Sequence, residues 1–485
     1  MAKILFVGDY LLNESLGVMR LSSYVKSRGH QVGLTFRSEH GSPENFIRHV
    51  REFNPDLVGC SVMTEQVEVF RPIVELLRAA VGVPIVWGGA HATYRPEHVA
   101  EKGLADLIVV GDGEESLLTL LDRLDSGGRV DDIPGIWARG PGGWVRNEVG
   151  IIQADLDRYP FPDRDLYYAS RPVLRNMGLK RMLTQIGCPY RCSYCFEPSM
   201  FALYEGKGKV MRRHSVGYVI AEIREVLSRY PTRQLHFSDD TFNLNRKWVY
   251  EFLDEYRRNF SVPFTCNVSV KLLDEEMIVR FREGGCRGVV FGVESGVESA
   301  RMELLNKRIP DETFVKAAGL LRKHGLAVVV NNMVCLPGET LDQAVRSVKF
   351  CLGLKPTILR TGVLKIYKGT VLAGSVVRDG LSAGEDEFMV QARDDEGSFY
   401  LIKNLGALSF LLVRFPFLAR FIGGLLRLPE PILAFLRLLN NWPEMQFYSI
   451  SKAQGFAYFA HSRRVFVRGM SSRAGVVIRR GLASR

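Results

Sequence analysis

The sequence predicts two consecutive α/β domains followed by a basic helical tail. Three observations carry that reading. Apolar runs of strand length alternate with amphipathic segments over residues 1–125, and the alternation restarts near Lys180. After about residue 380 it gives way to apolar helices broken by arginine and proline. A chain of 485 residues, 46% hydrophobic and 24% charged, is long enough for more than one core.

In the first stretch the strand candidates are KILFVGD, HQVGLTF, DLVGCSV, PIVWGG and LIVVGDG. Segments such as LGVMRLSSYVKSRG and EQVEVFRPIVELLRAAV separate them, with apolar residues every three or four positions, the period of a helix face. Five such units predict a doubly wound, Rossmann-like parallel sheet, assigned with its linker to residues 1–150. Ligands of such sheets sit beyond the strand carboxyl ends. Here those ends carry GDYLLNESLG, SVMTEQ, GGAHAT and GDGEES, which makes Thr64, Gly88, Gly89, His91, Gly111 and Glu114 candidate binding residues. None of these loops forms the G-x-G-x-x-G of dinucleotide folds. A linker rich in turn formers follows, SGGRVDDIPG and then DRYPFPDRDL.

The second domain, residues 165–380, has strand candidates KRMLTQIG, QLHFSDD, PFTCNVSV, GVVFGVES, LAVVVNNMV and ILRTGVLKIY. Helical patterns such as YVIAEIREVLSRY and TFVKAAGLLRKHG lie between them. Six units predict a partial (β/α)6 barrel with its chemistry at the strand carboxyl ends.

The tail, residues 381–485, contains FLLVRFPFLARFIGGLLRLPEPILAFLRLL, too interrupted by charge and proline for a spanning helix. The net charge is +11, and from Tyr400 onward the only acids are Glu430 and Glu444. The positive charge thus describes a basic tail. Such a tail suits an anionic lipid surface. The reading favoured over this is helices packed on the barrel mouth with arginines reaching solvent. A nucleic-acid role is disfavoured, because no RNA-binding module accompanies the charge. Without a secretory signal or spanning helix, the expected setting is cytoplasmic, with peripheral membrane contact through the tail left open.

Of eight cysteines, Cys60, Cys266, Cys286, Cys335 and Cys351 lie singly in apolar runs, as buried small hydrophobes do. Cys188, Cys192 and Cys195 are different. They stand together in GCPYRCSYCF, on the loop after the first strand of the second domain. Three cysteines are one short of a closed zinc site, and no nearby Cys or His pair supplies the fourth ligand. Three thiolates would leave one iron of a four-iron cluster uncapped. Zinc and core packing are the alternatives.

This C-x-x-x-C-x-x-C on the first loop of a partial barrel resembles the radical S-adenosylmethionine (SAM) superfamily. The resemblance implies a [4Fe–4S] cluster on Cys188, Cys192 and Cys195, with SAM chelating the fourth iron. It also implies a one-electron donor such as flavodoxin or ferredoxin, and a 5′-deoxyadenosyl radical that abstracts hydrogen. On the same resemblance Tyr194 lies near the adenine, and Asp239 and Asp240 of FSDDTF are candidates for the SAM amino group. Gly292 and Glu294 of GVVFGVESG, with the Gly296 backbone, would lie near the ribose or methionine moiety, and Asn332 of NNMVCLPGET near the adenine. Read bare, the aspartates could also cap a helix and PGET could be a plain turn.

In the first domain SVMT, GGAHAT, GDGEES and the linker YPFPDRDL look like the cobalamin-binding half of cobalamin-dependent radical SAM enzymes. The resemblance covers residues 1 to about 375. Gly88, Gly89, Gly111 and Gly113 would let the backbone approach a large planar ring. The GDYLLNESLG loop offers no axial histidine; His91 either faces the corrin or is a satisfied surface histidine. Methylation of an unactivated carbon in a small-molecule or lipid-like substrate is the implied reaction. Oxidative cyclisation or ring rearrangement is the alternative. The chain departs from the family at TQIG, where many relatives have Ser-Arg, and at LKIYKGT, where PYPGT is commoner. Substrate class therefore does not carry over, and Tyr367 and Lys368 stand as candidate substrate contacts.

Overall fold

The computed structural model describes residues 1–8, 14–378, 389–390 and 396–440. In the first domain, β1 (Lys3–Gly8), β2 (Gln31–Phe36), β3 (Leu57–Ser61), β4 (Ile85–Gly88) and β5 (Leu107–Val109) are parallel, as their buried apolar runs require. Beyond β5 the structure departs from the predicted all-parallel sheet. Residues read as linker form an antiparallel hairpin, β6 (Ile136–Gly140) and β7 (Gly143–Arg146), giving the order β2-β1-β3-β4-β5-β6-β7. Glycine and proline mark tight hairpins as well as linkers, so composition alone could not separate the two. Helices α1 (Leu16–Ser27), α2 (Ala90–Tyr94), α3 (Pro96–Glu101) and α4 (Glu114–Ser126) follow β1, β4 and β5.

The second sheet is parallel throughout. It comprises β8 (Leu179–Met182), β9 (Gln234–Phe237), β10 (Phe264–Asn267), β11 (Cys286–Glu294), β12 (Ala327–Val334) and β13 (Ile358–Val363). The order β13-β12-β11-β10-β9-β8 makes the predicted six-stranded partial barrel, open between its two edge strands. Its register aligns Gly292 with Asn331 and Asn331 with Arg360, so these three share one face. Helix α5 (Glu197–Leu203) follows the cysteine loop, and α6 (Leu341–Gly353) joins β12 to β13.

From the tail, α7 (Glu396–Arg414) lies along β13 and covers that edge, which would otherwise expose unpaired backbone groups. Gly406 permits the approach: a Cβ there would lie 2.6 Å from the Thr361 carbonyl oxygen. Helix α8 (Glu430–Leu439) packs on α7, with Arg437 Nη2 donating to Asn404 Oδ1 at 2.9 Å. Residues 441–485, with many of the tail's arginines, lie outside the described residues. Among those described, no helix is long and apolar enough to cross a membrane.

The strand-end loops of the two sheets meet. The Tyr94 ring stacks on Phe196 with centroids 4.2 Å apart. Tyr367 Oη donates to Glu65 at 2.5 Å, beside a Lys365–Glu65 ion pair. The Asp112 N–H donates to Tyr204 Oη at 2.7 Å, and Asp112 also pairs with Arg212 at 2.7 Å.

Candidate active site

Gly187, at φ +89°, turns the chain into the cysteine loop in a conformation side-chain-bearing residues avoid. The loop is then tied down on both sides. The Cys188 N–H donates to Glu197 Oε2 at 2.9 Å, and the Cys195 N–H to the Cys192 carbonyl at 3.2 Å. Ser193 donates through its N–H to Leu305 O (3.0 Å) and through Oγ to Leu304 O (2.6 Å); Asn306 Nδ2 donates to Arg191 O (2.7 Å). The three thiols are free, partly buried, and line one cavity of about 970 Å³. Burial raises all three, Cys195 to about 11, so a metal must displace their protons. Among the described residues no three His, Cys, Asp or Glu gather around a point as one ion requires. Three thiols lining one cavity suit a cluster, in which each takes its own iron.

Tyr194, Asp240, Gly292 and Glu294 line the same cavity. Asp240 opens into it and stays solvent-exposed, while the protein around it displaces enough water to raise its carboxyl above the usual range. A carboxylate placed this way calls for a cationic partner. Glu294 ends β11 at φ +66°, a strained backbone for a residue with a side chain, and pairs with Lys307 Nζ at 2.9 Å. Gly292 leaves the space that Glu294 Oε1 occupies. Deeper in the cavity stand Arg181 and Arg360, from the two edge strands. Burial, then these two charges, lowers His236 to about 3, so it stays neutral.

Two predicted residues are corrected. Asp239 is fully buried and accepts from Thr184 N (2.6 Å), Thr184 Oγ1 (2.6 Å) and Gln185 N (2.9 Å). It ties the second strand's end to the first and does not line the cavity. Asn332 points the other way, accepting from Ser347 Oγ on α6 at 2.8 Å. Its neighbour Asn331 lines the cavity instead, with a buried Oδ1 that has no hydrogen-bond partner. Alternation along an extended chain explains the miss, since adjacent residues face opposite sides. Gly296 also packs away from the cavity, its N–H donating to Ser347 Oγ at 2.7 Å.

In the first domain most of the candidates are engaged with the protein itself. His91 lies on α2 rather than a loop and is fully buried, with Nδ1 3.2 Å from Thr64 Oγ1 and Nε2 3.1 Å from His98 Nδ1. Burial, then His98 and Arg95, lowers it to about 3. The expected surface position is thus corrected: it is a core histidine, with Thr64 and His98 as partners. Gly89 is at φ +86°, and a Cβ there would lie 2.9 Å from Val62 N. Gly111, at φ +83°, makes room for the Tyr204 hydroxyl. Glu114 accepts from Arg20 Nε at 2.6 Å and is buried. Gly88 differs: a Cβ would meet only Val109 Cβ, at an ordinary 3.6 Å, so internal packing does not demand a glycine. Tyr367 holds Glu65 between the domains, and Lys368 is half-buried beside it. Residues 9–13 of GDYLLNESLG lie outside the described residues.

Tyr94 was not singled out in the sequence, where GGAHAT was read without the tyrosine that follows. Burial, then Glu197, Cys195 and Asp240, raises its hydroxyl, which places this first-domain residue beside the cysteine loop.

Residues 182–351 match the radical SAM superfamily, and residues 8–121 match the B12 binding domain. The chain is a radical SAM enzyme with a B12-binding domain. Its cofactors are accordingly a [4Fe–4S] cluster, SAM and cobalamin. An uncharacterized methyltransferase of Pyrococcus horikoshii, PH0819, is 27% identical to this enzyme over 74% of its chain and 77% of the relative's. The anaerobic magnesium-protoporphyrin IX monomethyl ester cyclase of Rubrivivax gelatinosus is 24% identical, over 70% and 62%. The solved radical SAM methyltransferase TsrM of Kitasatospora setae, with cobalamin and a [4Fe–4S] cluster bound, superposes with a TM-score of 0.66 at 20% identity, covering 78% of this chain and 75% of that one. That likeness shows a shared fold.

The residues of this radical SAM enzyme fit these groups. Free thiols on one cavity wall are the donor set of a cluster, and Asp240 and the unpartnered Asn331 Oδ1 offer acceptors to SAM's ammonium and adenine amino groups. Gly88, at the carboxyl end of β4, leaves bare backbone for a planar ring.

Proposed function

We propose that this enzyme methylates an unactivated carbon of a small organic substrate, taking one electron from a donor such as flavodoxin or ferredoxin. The supporting observation is the cavity that carries Cys188, Cys192 and Cys195 together with Asp240, beside the Tyr94–Phe196 stack that joins the B12-binding domain to the cysteine loop. When bound, the three cofactors supply one-electron chemistry and a methyl carrier. In this reading the three cysteines hold the cluster, Asp240 holds the ammonium of SAM, and Tyr194 and Asn331 flank its adenine. Glu294, fixed by Lys307, accepts from the ribose hydroxyls, and Gly88 lets the corrin approach. Such positioning removes translational freedom before the reaction and keeps water from the reactive centre. The names of the Pyrococcus and Kitasatospora proteins support methylation. A second reading, oxidative ring formation, is favoured by the Rubrivivax cyclase.

Anaerobic protein reconstituted with iron, sulfide and cobalamin, then given SAM and a reductant, tests the reading. We expect 5′-deoxyadenosine and S-adenosylhomocysteine, the second dependent on cobalamin. Serine in place of Cys188, Cys192 or Cys195 should each reduce both to background. Deoxyadenosine alone favours the cyclisation reading. Neither product, from protein with a verified four-iron cluster, refutes the proposal.

A further inference from the structure

Among the described residues, every phenylalanine that is strongly exposed belongs to the tail: Phe415, Phe417, Phe421 and Phe435, at 43%, 61%, 61% and 58%. Ile432, 45% exposed, joins them. Three of the four follow the end of α7, in the stretch Arg414–Phe421, and Ile432 and Phe435 lie on α8. The other exposed large hydrophobics are single valines, an isoleucine and methionines scattered over the two α/β domains. Scattered residues need no explanation, but five large apolar side chains within about twenty residues do. They are not the packing face of their helices. Leu405, Leu408, Leu412, Ile422, Leu433 and Leu436 are buried and supply that face.

The charges along this segment are mostly positive. Arg414, Arg420 and Arg427 lie in the same segment, and no acidic residue occurs from 401 to 429. The nearest acid, Glu430, is paired with Arg437. Pro416 begins a short 3-10 helix and Pro429 caps the start of α8, so the aromatic stretch is broken into short pieces rather than one long helix.

We infer that residues 414–435 form a docking surface for an anionic lipid bilayer, with the phenylalanines entering the acyl boundary and the arginines meeting lipid phosphates. A patch flanked by Arg414, Arg420 and Arg427, whose one acid is already paired with Arg437, complements a surface that is apolar beneath and anionic above. The contact is peripheral, because no described helix can span. It does not depend on the methylation reading: the surface would anchor the enzyme whatever its reaction.

The full-length protein is mixed with vesicles of phosphatidylcholine, or of equal parts phosphatidylcholine and phosphatidylglycerol, and floated on a density gradient at low and high salt. The protein should float with the anionic vesicles, less so in high salt, and weakly or not at all with the neutral ones. Phe417→Ser with Phe421→Ser should weaken partition about tenfold, since each removes part of a buried ring. Arg420→Gln and Arg427→Gln should each weaken it about fivefold, from roughly 1 kcal/mol per cation near the surface. SAM cleavage by all these variants in detergent-free buffer should match the native protein, which shows they are folded. Failure of the native protein to float overturns the proposal. So does equal flotation of the phenylalanine variants. Gel filtration showing an oligomer that these variants dissolve, without vesicle binding, would assign the face to a second copy. Binding to RNA in place of vesicles would assign it to nucleic acid.

Discussion

The two sets of strand-end loops are built on opposite plans. In the barrel, loop side chains turn into a shared cavity and leave polar groups there without protein partners: the Asp240 carboxyl and the Asn331 Oδ1. In the B12-binding domain the corresponding side chains are engaged with one another. Thr64 meets His91 and His91 meets His98, Glu114 pairs with Arg20, and Gly111 yields to Tyr204. Among the described residues of that edge, Glu65 and Tyr94 reach across to the barrel, and the strand end at Gly88 is left as backbone. The difference follows from the ligands. SAM is small and charged and must be held by individual groups. A corrin is broad and flat, and a surface without protruding side chains receives it.

The largest test of this contrast lies in one pair of adjacent aspartates. Asp239→Asn replaces an acceptor of three hydrogen bonds with a group that presents N–H to N–H, at a fully buried site. We expect a loss of about 2–3 kcal/mol in denaturant unfolding. Asp240→Asn should leave stability within about 0.5 kcal/mol and weaken SAM binding at least about tenfold. If the two variants lose stability and SAM affinity alike, the division between structural and ligand-facing residues at the barrel edge is wrong.

Next in size is the glycine pair of the first domain. Gly89→Ala forces a side chain into positive φ against the Val62 backbone and should cost about 1–3 kcal/mol. Gly88→Ala meets no such obstacle within the protein and should cost less than about 0.5 kcal/mol. Its effect should appear instead as faster loss of cobalamin on gel filtration. Unchanged cobalamin retention would mean that the ring does not approach Gly88.

The same contrast explains what was legible in the sequence. All eleven parallel strands were readable, because strands buried on both faces are continuous apolar runs bounded by glycine, proline or charge. The Cys188–Cys195 loop was readable because its chemistry requires fixed spacing. The phase of a strand was not: VVVNNMV gives no sign of which asparagine faces inward, since both faces of β12 are packed and only the register with Gly292 and Arg360 selects Asn331. Nor did the loop around His91 declare itself. GGAHAT follows a strand, where ligands bind, yet the chain turns at once into a helix that carries the histidine inward. The glycines there differ in what the protein demands of them: a close approach to the Val62 backbone requires Gly89, no internal contact requires Gly88, and one residue type cannot distinguish the two.

The smallest effect separates the two domains by pH. Glu339, in the turn after β12, is buried and raised to about 7, by enclosure against the opposing hydrogen bonds from the Leu336 and Cys335 N–H groups. In the folded protein it therefore keeps a proton that the unfolded chain releases near 4.5. Its contribution to stability is fully present below the unfolded value and is lost as pH rises through about 7. The histidines of the first domain have the opposite sign. Burial lowers His91 to about 3 and His98 to about 4, so their contribution is present above the ordinary histidine range near 6.5 and is lost as pH falls through those values. Above pH about 6.5, then, Glu339 should titrate alone of the three. Glu339→Gln keeps the size and removes the proton, so the stability of the native protein relative to this variant should fall by about 1 kcal/mol or more between pH 5 and pH 8, measured by urea unfolding. A flat difference would show that the PGET turn admits water and that the carboxyl titrates as it does in the unfolded chain. Under that outcome the enclosure of the barrel's strand-end edge would stop short of this turn, and of the two unpartnered groups there only the Asn331 Oδ1 is buried.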